Sequence, residues 1–354
     1  MHNNSKEKIS IIAPNLSGKG GTETVITYLL DSKIINSKYD LKIMVTGNNC
    51  QTPWLKKHIN KKNVYVIKSD SKLIKLIRSI VYYAKNNSDF ILSTGPGQTL
   101  ISSIVKKILK KKYKIISWIH FSVFGATNIK YKYLKYADYH LTISKQMEEQ
   151  LNSLGIDKKN IKTIYNPVEK QNQIIKRSNE FIKKFIYVGR IQLNDQKNLS
   201  EMLLGLSHLK LKWKLDIYGD GEIDKVSDLA YKLNILDNIQ FHGWVMNPWI
   251  KMKNVDALLL TSTYEGFGMV LAEAISRGIP CISSDCPVGP SDIILNGVNG
   301  YLYKMGDIDD FINNVYSVVS NEQFNDTTQI IESLKNYYSP KYDENFLNSI
   351  ASFK

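Results

Sequence analysis

A chain of 354 residues, 43% of them hydrophobic, can bury substantial cores, and its length favours two domains of ordinary size over one. No run approaches the ~20 consecutive apolar residues that a bilayer span needs, and Met1-His2-Asn3-Asn4-Ser5-Lys6 lacks the apolar core of a signal peptide, so the protein is expected in the cytoplasm. The net charge of +14 is split unevenly: residues 1–170 hold 29 Lys and Arg against 11 Asp and Glu, while residues 171–354 hold 18 against 22. Nucleic acid, an anionic membrane surface or a phosphorylated acceptor would each suit the basic half, and so would a merely solvated, lysine-rich helix face. Cys50, Cys281 and Cys286 show no metal-site spacing and read as free thiols.

In chain order, apolar runs of strand length alternate with amphipathic runs of helix length, the pattern of parallel strands joined by helical crossovers. The first half predicts strands at Ile9–Pro14, Leu41–Thr46, Val64–Ile67, Phe90–Ser93, Ile115–Ile119 and Tyr139–Ile143. Helices fit between them; Leu73–Ala84 carries apolar residues at 73, 76, 77, 80, 81 and 84, a stripe at helical spacing. After the polar stretch Glu169–Lys184 a second series begins, with strands at Phe185–Val188, Leu215–Tyr218, Ile239–His242, Ala257–Leu260 and Cys281–Ser284. The expected fold class is α/β, two Rossmann-like doubly wound domains facing each other across a cleft. The first would cover residues 1–168, a linker 169–184, and the second 185–335. A C-terminal helix over 336–354 leaves its packing partner open, a return to the first domain being one option.

Several strand ends carry groups suited to chemistry. The first strand runs into Asn15-Leu16-Ser17-Gly18-Lys19-Gly20-Gly21-Thr22-Glu23 before a helix, where glycines and free N–H groups suit a diphosphate. A tight strand-to-helix turn would look the same. Neither the dinucleotide fingerprint nor the P-loop spacing is present. The second series opens similarly, with Arg190 at a strand end and Lys197 before a helix, two cations able to neutralise a leaving diphosphate or simply to sit at the surface. The densest signal is Tyr264-Glu265-Gly266-Phe267-Gly268 after the apolar run Leu258–Leu260. There Glu265 sits at a strand's C-terminal edge and Glu273 lies eight residues on, a little over two helical turns. A further loop, Ser283–Ile294, offers N–H donors around Gly289. Gly219-Asp220-Gly221-Glu222 lacks calcium-loop spacing, and no metal is expected. His120 follows another apolar run, where a histidine can bond a sugar, move a proton or be structural.

Taken together, Gly20-Gly21-Thr22-Glu23, Val188-Gly189-Arg190 with Lys197-Asn198, Gly219-Asp220-Gly221, and Glu265-Gly266-Phe267-Gly268 with Glu273 resemble the motifs of glycosyltransferase family 4, in order and over nearly the whole chain. Within that family, Ser117–Ser122, Tyr136–Leu141, Tyr165–Val168 and Ile279–Cys286 look like the branch that adds galactose from UDP-galactose to the bacterial lipopolysaccharide core. Gly268, where that branch would carry proline, and the segment Val123–Lys132 depart from it. The resemblance implies the GT-B fold, with an acceptor-binding first domain and a donor-binding second one. Arg190, Lys197, Gly20 and Gly21 would hold the donor diphosphate and Glu273 the ribose. Glu265, Gly266, Phe267 and Gly268 would face the transferred sugar, and Glu265 and His120 would be the catalytic pair.

It further implies a retaining, metal-independent reaction, with the UDP-sugar as substrate, no cofactor, and a glycan or glycolipid acceptor met at the anionic inner face of the inner membrane. A related transferase using UDP-glucose or a UDP-N-acetylhexosamine for capsule or O-antigen is the nearest rival. Of another class, a basic nucleic-acid-binding protein would need stacking aromatics, and here the aromatics follow strands and helices. An inactive scaffold of the same fold is the third.

Overall fold

The computed structural model describes residues 6–14, 16, 20–46, 55, 63–124, 130–178 and 180–353. The chain divides into two compact units, Met1–Pro167 with Pro340–Lys354, and Val168–Ser339. Cys50 and most of the loop Asn15–Lys19 lie outside the described residues.

In the first unit, β1 (Glu7–Pro14), β2 (Tyr39–Thr46), β3 (Val64–Ile67), β4 (Phe90–Ser93), β5 (Lys114–Trp118), β6 (Tyr139–Thr142) and β7 (Ile161–Thr163) form one parallel sheet in the order β3-β2-β1-β4-β5-β6-β7. Its helices are α1 (Gly21–Asp31), α2 (Lys33–Lys38), α3 (Lys72–Lys85), α4 (Pro96–Ile108) and α5 (Lys145–Ser153). Central strands such as β1 bury consecutive apolar residues, Ile11, Ile12 and Ala13, because crossovers cover both sheet faces.

The second unit repeats the scheme with β8 (Lys183–Val188), β9 (Trp213–Tyr218), β10 (Ile239–Gly243), β11 (Ala257–Leu260), β12 (Cys281–Ser284) and β13 (Gly300–Tyr303), ordered β10-β9-β8-β11-β12-β13. Its helices are α6 (Leu199–Ser207), α7 (Ile223–Lys232), α8 (Met269–Ile275), α9 (Pro290–Ile293), α10 (Ile308–Ser320) and α11 (Thr327–Glu332). The α/β class with two doubly wound, Rossmann-like units is thus the one expected. In each sheet the chain starts in the middle and winds outward both ways. Loops leaving β1 and β4, and those leaving β8 and β11, therefore part in opposite directions at the strands' carboxyl ends, where such sheets take ligands.

Three differences from the sequence-based expectation, and one point it left open, have physical causes. Strands β7 and β13 were not predicted. Both are edge strands, of three and four residues, needing only one neighbour, and β13 begins on a glycine. The polar stretch 169–184 lies along the second unit rather than free: Ile175 N donates to Arg277 O, and Arg177 donates to the carbonyls of Val319 and Asn321. Helix α12 (Lys341–Ala351) belongs to the first unit, where buried Asp343 accepts from Tyr28 Oη at 3.0 Å and Ser32 Oγ at 2.7 Å. Finally, α3 faces its apolar stripe away from the core. Ser79 and Tyr83 are buried, whereas Leu73 is 64% and Ile77 51% exposed.

Candidate active site

Strand β8 ends at Val188 and delivers Gly189 and Arg190; the adjacent β11 ends at Leu260 and delivers Thr261 to Gly268. These are the two loops that part at the second sheet's switch point. Thr263 N donates to Gln196 O at 2.8 Å, Gln196 Nε2 to Tyr264 O at 3.1 Å, and Thr261 Oγ1 to Asn198 O at 2.9 Å. This lacing brings the Lys197 ammonium to 2.5 Å from Glu265 Oε1, where Ser262 Oγ also donates at 2.7 Å. Glu265 is only 7% exposed, so its charge is met by a cation and a hydroxyl rather than by water.

Two further groups mark the same spot. Buried Tyr187 donates to Arg190 O at 2.6 Å; burial pushes its phenol well above the usual value, with Glu265 adding to the rise and Arg190 opposing it. Buried Cys286, in the loop after β12, has its thiol pushed up to about 12, chiefly by burial, with Glu265 raising it and Lys197 lowering it. Arg190, exposed, and Lys197 and Glu265, enclosed, thus gather around the ends of β8, β11 and β12. Sequence reasoning gave Lys197 and Glu265 separate roles; the structure puts them in direct contact. It also missed Ser262 and Tyr187. The signal for Ser262 was a hydroxyl closing the fully buried run Leu258-Leu259-Leu260-Thr261.

Gly268 turns the loop into α8 with φ of 90°, which suits glycine, while Phe267 is buried with its ring against Tyr337 at 5.8 Å. Of Phe267, then, only the backbone is left to meet a ligand. Gly266 beside it is half-buried. Gly289 has φ of 106°, and a Cβ there would collide with the Phe267 carbonyl, so the two loops are packed backbone to backbone. Helix α9 that follows is four residues long and starts with proline, which leaves few free N–H groups. Gly219 likewise serves packing: a Cβ there would strike the Gly189 carbonyl.

Glu273, on α8, belongs to a different cluster. Trp249 Nε1 donates to its Oε2 at 3.3 Å, and the Arg277 guanidinium lies 4.8 Å over the Trp249 ring. Burial raises the Glu273 pKa, an effect that Arg277 and the Trp249 bond oppose. Neither Trp249 nor Arg277 was singled out from sequence. Among the described residues, no group of three or more His, Cys, Asp or Glu could hold a metal.

In the first unit, Gly20 caps α1 and Gly21 opens it. A Cβ on Gly20 would stand 2.8 Å from Glu23 Oε2, so the chain's own buried carboxylate already lies over this helix end. A diphosphate arriving there shares the space with Glu23. His120 lies two residues beyond β5, its ring edge-on to Trp118 at 4.4 Å. The residue is half-buried, yet both ring nitrogens are enclosed and have no hydrogen-bond partner among the described residues, as is also true of Trp118 Nε1. Burial lowers the His120 pKa to about 3, so the imidazole is neutral at physiological pH.

The Glycosyl transferases group 1 family matches residues 168–336. The chain is 35% identical to the lipopolysaccharide 1,6-galactosyltransferase of Salmonella typhimurium, across 98% of its own length and 99% of that protein. To the Escherichia coli protein of the same name it is 33% identical, with 98% of each covered. Among solved structures, the apo form of the lipopolysaccharide outer core galactosyltransferase WaaB matches with a TM-score of 0.87 at 33% identity, covering 98% of this chain and 99% of that one. HepE of Anabaena, solved with UDP and glucose, matches with a TM-score of 0.79 at 16% identity over 97% and 99%, a likeness of fold. The chain belongs to the group 1 glycosyltransferases, and its two doubly wound units are those of the GT-B fold.

Proposed function

We propose that this protein is a retaining, metal-independent hexosyltransferase of glycosyltransferase family 4. It moves galactose from UDP-galactose onto a glycan of the lipopolysaccharide or lipooligosaccharide core. The observation that carries this reading is full-length identity of 33–35% to two lipopolysaccharide 1,6-galactosyltransferases. The arrangement at the ends of β8 and β11 supports the roles of Arg190, Lys197 and Glu265, and the family resemblance supplies the others. Arg190 and Lys197 hold the diphosphate, with Gly20 and Gly21 closing on it. Glu265 meets the transferred sugar beside the backbone of Gly266, Phe267 and Gly268, and Glu273 takes the ribose hydroxyls. His120 offers a neutral imidazole beside the reacting carbon, a role supported by two enclosed nitrogens that have no partner among the described residues.

Breaking the bond from sugar C1 to phosphate sends its electron pair to the diphosphate and leaves oxocarbenium-like charge on the sugar. Arg190 and Lys197 stabilise the first charge and Glu265 the second. Its contact with Glu265 supports a part for Lys197 at both charges. The acceptor hydroxyl attacks from the face the diphosphate leaves, and its proton passes to a diphosphate oxygen, so configuration is retained. The enzyme works in the cytoplasm at the inner face of the inner membrane, where its basic half meets anionic lipid and a glycolipid acceptor. No helix among the described residues is long and apolar enough to cross that membrane.

Thermal unfolding with UDP-galactose, UDP-glucose and UDP-N-acetylglucosamine tests the donor; a ligand at a hundred times its Kd adds about 2.7 kcal/mol. Protection greatest with UDP-galactose, and galactose transfer to a truncated core acceptor, are expected. Turnover of UDP-glucose or UDP-N-acetylglucosamine alone would replace the donor assignment. Salt-sensitive RNA binding without any UDP-sugar binding would overturn the transferase reading itself.

A further inference from the structure

Helices α3 and α4 pack against each other on the first unit; each sends an apolar or aromatic side chain into the core, Tyr83 from α3 and Val105 from α4, and each also exposes a row of apolar side chains. Helix α3 buries Ser79, whose hydroxyl has no hydrogen-bond partner among the described residues, and exposes Leu73, Ile77, Ile80 and Val81. Its neighbour buries Thr99 and Ser102 beside Val105, yet leaves Ile104 48% and Ile108 71% exposed, with Leu109 just beyond its end. A crossover helix normally turns its apolar side to the sheet, and exposed apolar residues are common only when scattered singly. Here isoleucines and leucines stand out of the same two helices that bury serines and threonine.

The charge around this face is one-sided. Residues 68–114 hold eleven Lys and Arg against two acidic residues, Asp70 and Asp89. Lys72, Lys75 and Arg78 lie on α3, and Lys110, Lys111 and Lys112 follow α4 directly after Ile108 and Leu109. The short helix Tyr131–Tyr136, in contact with α4, adds exposed Tyr131 and Tyr136 with lysines between them. Apolar side chains set among lysines, with tyrosines at the margin, match the layering of an anionic bilayer surface, whose headgroups attract the cations while its acyl boundary accepts the isoleucines. A protein partner for such a face would need a strongly acidic apolar groove. A second copy of this chain would bring basic charge against basic charge.

We infer that α3 and the C-terminal half of α4 form the membrane-docking face of this enzyme, lying flat on anionic phospholipid with Leu73, Ile77, Ile80 and Ile108 inserted at the acyl boundary. The inference deepens the membrane contact proposed above by naming the surface that makes it, and it is independent of the sugar transferred. None of these residues belongs to the donor-binding roles assigned to Arg190, Lys197, Glu265 or Glu273.

Flotation of the full-length protein on phosphatidylethanolamine vesicles, with and without phosphatidylglycerol, reads both claims. The parent should float with the anionic vesicles and lose most of that binding in high salt. Ile77→Ser with Ile80→Ser, and separately Ile108→Ser, should each weaken partitioning by about tenfold or more, while circular dichroism and UDP-dependent thermal protection stay as in the parent. Replacing Lys110, Lys111 and Lys112 by glutamate should have the same effect with the apolar face intact. A parent that stays at the bottom of the gradient with anionic vesicles overturns the membrane contact altogether. A parent that floats while all three variants float equally well leaves the contact standing but overturns this face as its site. A parent that is dimeric and non-floating, with serine variants that are monomeric, assigns the face to a second copy and also overturns the inference.

Discussion

At the second unit's switch point the polar groups already hold one another, Lys197 and Ser262 on Glu265, Tyr187 on the Arg190 carbonyl. Beside the first unit's switch point, His120 presents two enclosed nitrogens with no partner among the described residues. The two regions store binding capacity differently. A paired site loses little by waiting for ligand and gains by exchanging partners, whereas an unpaired buried group costs stability that a ligand's hydrogen bond can return. A region whose polar groups are already paired and one whose enclosed imidazole has no partner among the described residues would therefore answer mutation and pH in opposite ways.

The largest effect is expected at the pair. Lys197→Ala should lower transfer by at least about a hundredfold and cost about 3 kcal/mol of unfolding stability, because Glu265 keeps a buried charge without its cation. Adding Glu265→Ala should recover part of that stability and none of the transfer. Denaturant unfolding of the single and double variants makes the comparison, and a Lys197→Ala protein as stable as the parent would show that the pair is not what holds Glu265. Next comes Gly289→Ala, for which strain and the clash with the Phe267 carbonyl should cost roughly 2–3 kcal/mol; an unchanged urea midpoint would remove the backbone contact between the two loops.

The burial of two histidines in the first unit predicts a pH dependence. His120 and His140 have folded pKa values of about 3 and about 4, both lowered mainly by burial, below the usual 6.5. The unfolded chain therefore takes up these protons first, and stability is lost as pH falls below the usual histidine value, down through the folded values. Each histidine contributes up to about 1.4 kcal/mol per pH unit in that window. Melting temperatures between pH 7 and pH 5 should fall less steeply for His120→Gln than for the parent, and equal slopes would mean that His120 is not enclosed. The smallest effect is Ser262→Ala, about 1 kcal/mol. Its transfer rate should drop several-fold, and an unchanged rate would show that Lys197 alone positions Glu265.

Much of the fold was legible because parallel strands buried on both faces read as continuous apolar runs, as in β4 and β11, each of whose four residues is buried. Strands β7 and β13 were not: β7 has three residues of which only Ile161 is buried, and β13 buries only Gly300 and Tyr303, so neither shows an apolar run. Sequence motifs also exposed Glu265, Lys197 and Arg190, each at a strand or helix boundary where charge is out of place unless used. What the sequence could not carry was contact across the fold. The Lys197 bond to Glu265 joins residues 68 apart, and the approach of Trp249 to Glu273 depends on how a loop lies on α8. The stripe on α3 misleads for the opposite reason: helical periodicity shows that a face is apolar, and only packing tells which way it points.

Helix α12 reaches back across almost the whole chain, with Asp343 bonded to Tyr28, 315 residues upstream. During synthesis the second unit therefore has all of its residues before the first has its last helix. At ordinary translation speeds, the ribosome spends roughly ten to thirty seconds making the intervening segment. Through that interval the first unit waits with the groove for α12 unfilled, so order of completion runs opposite to order of appearance.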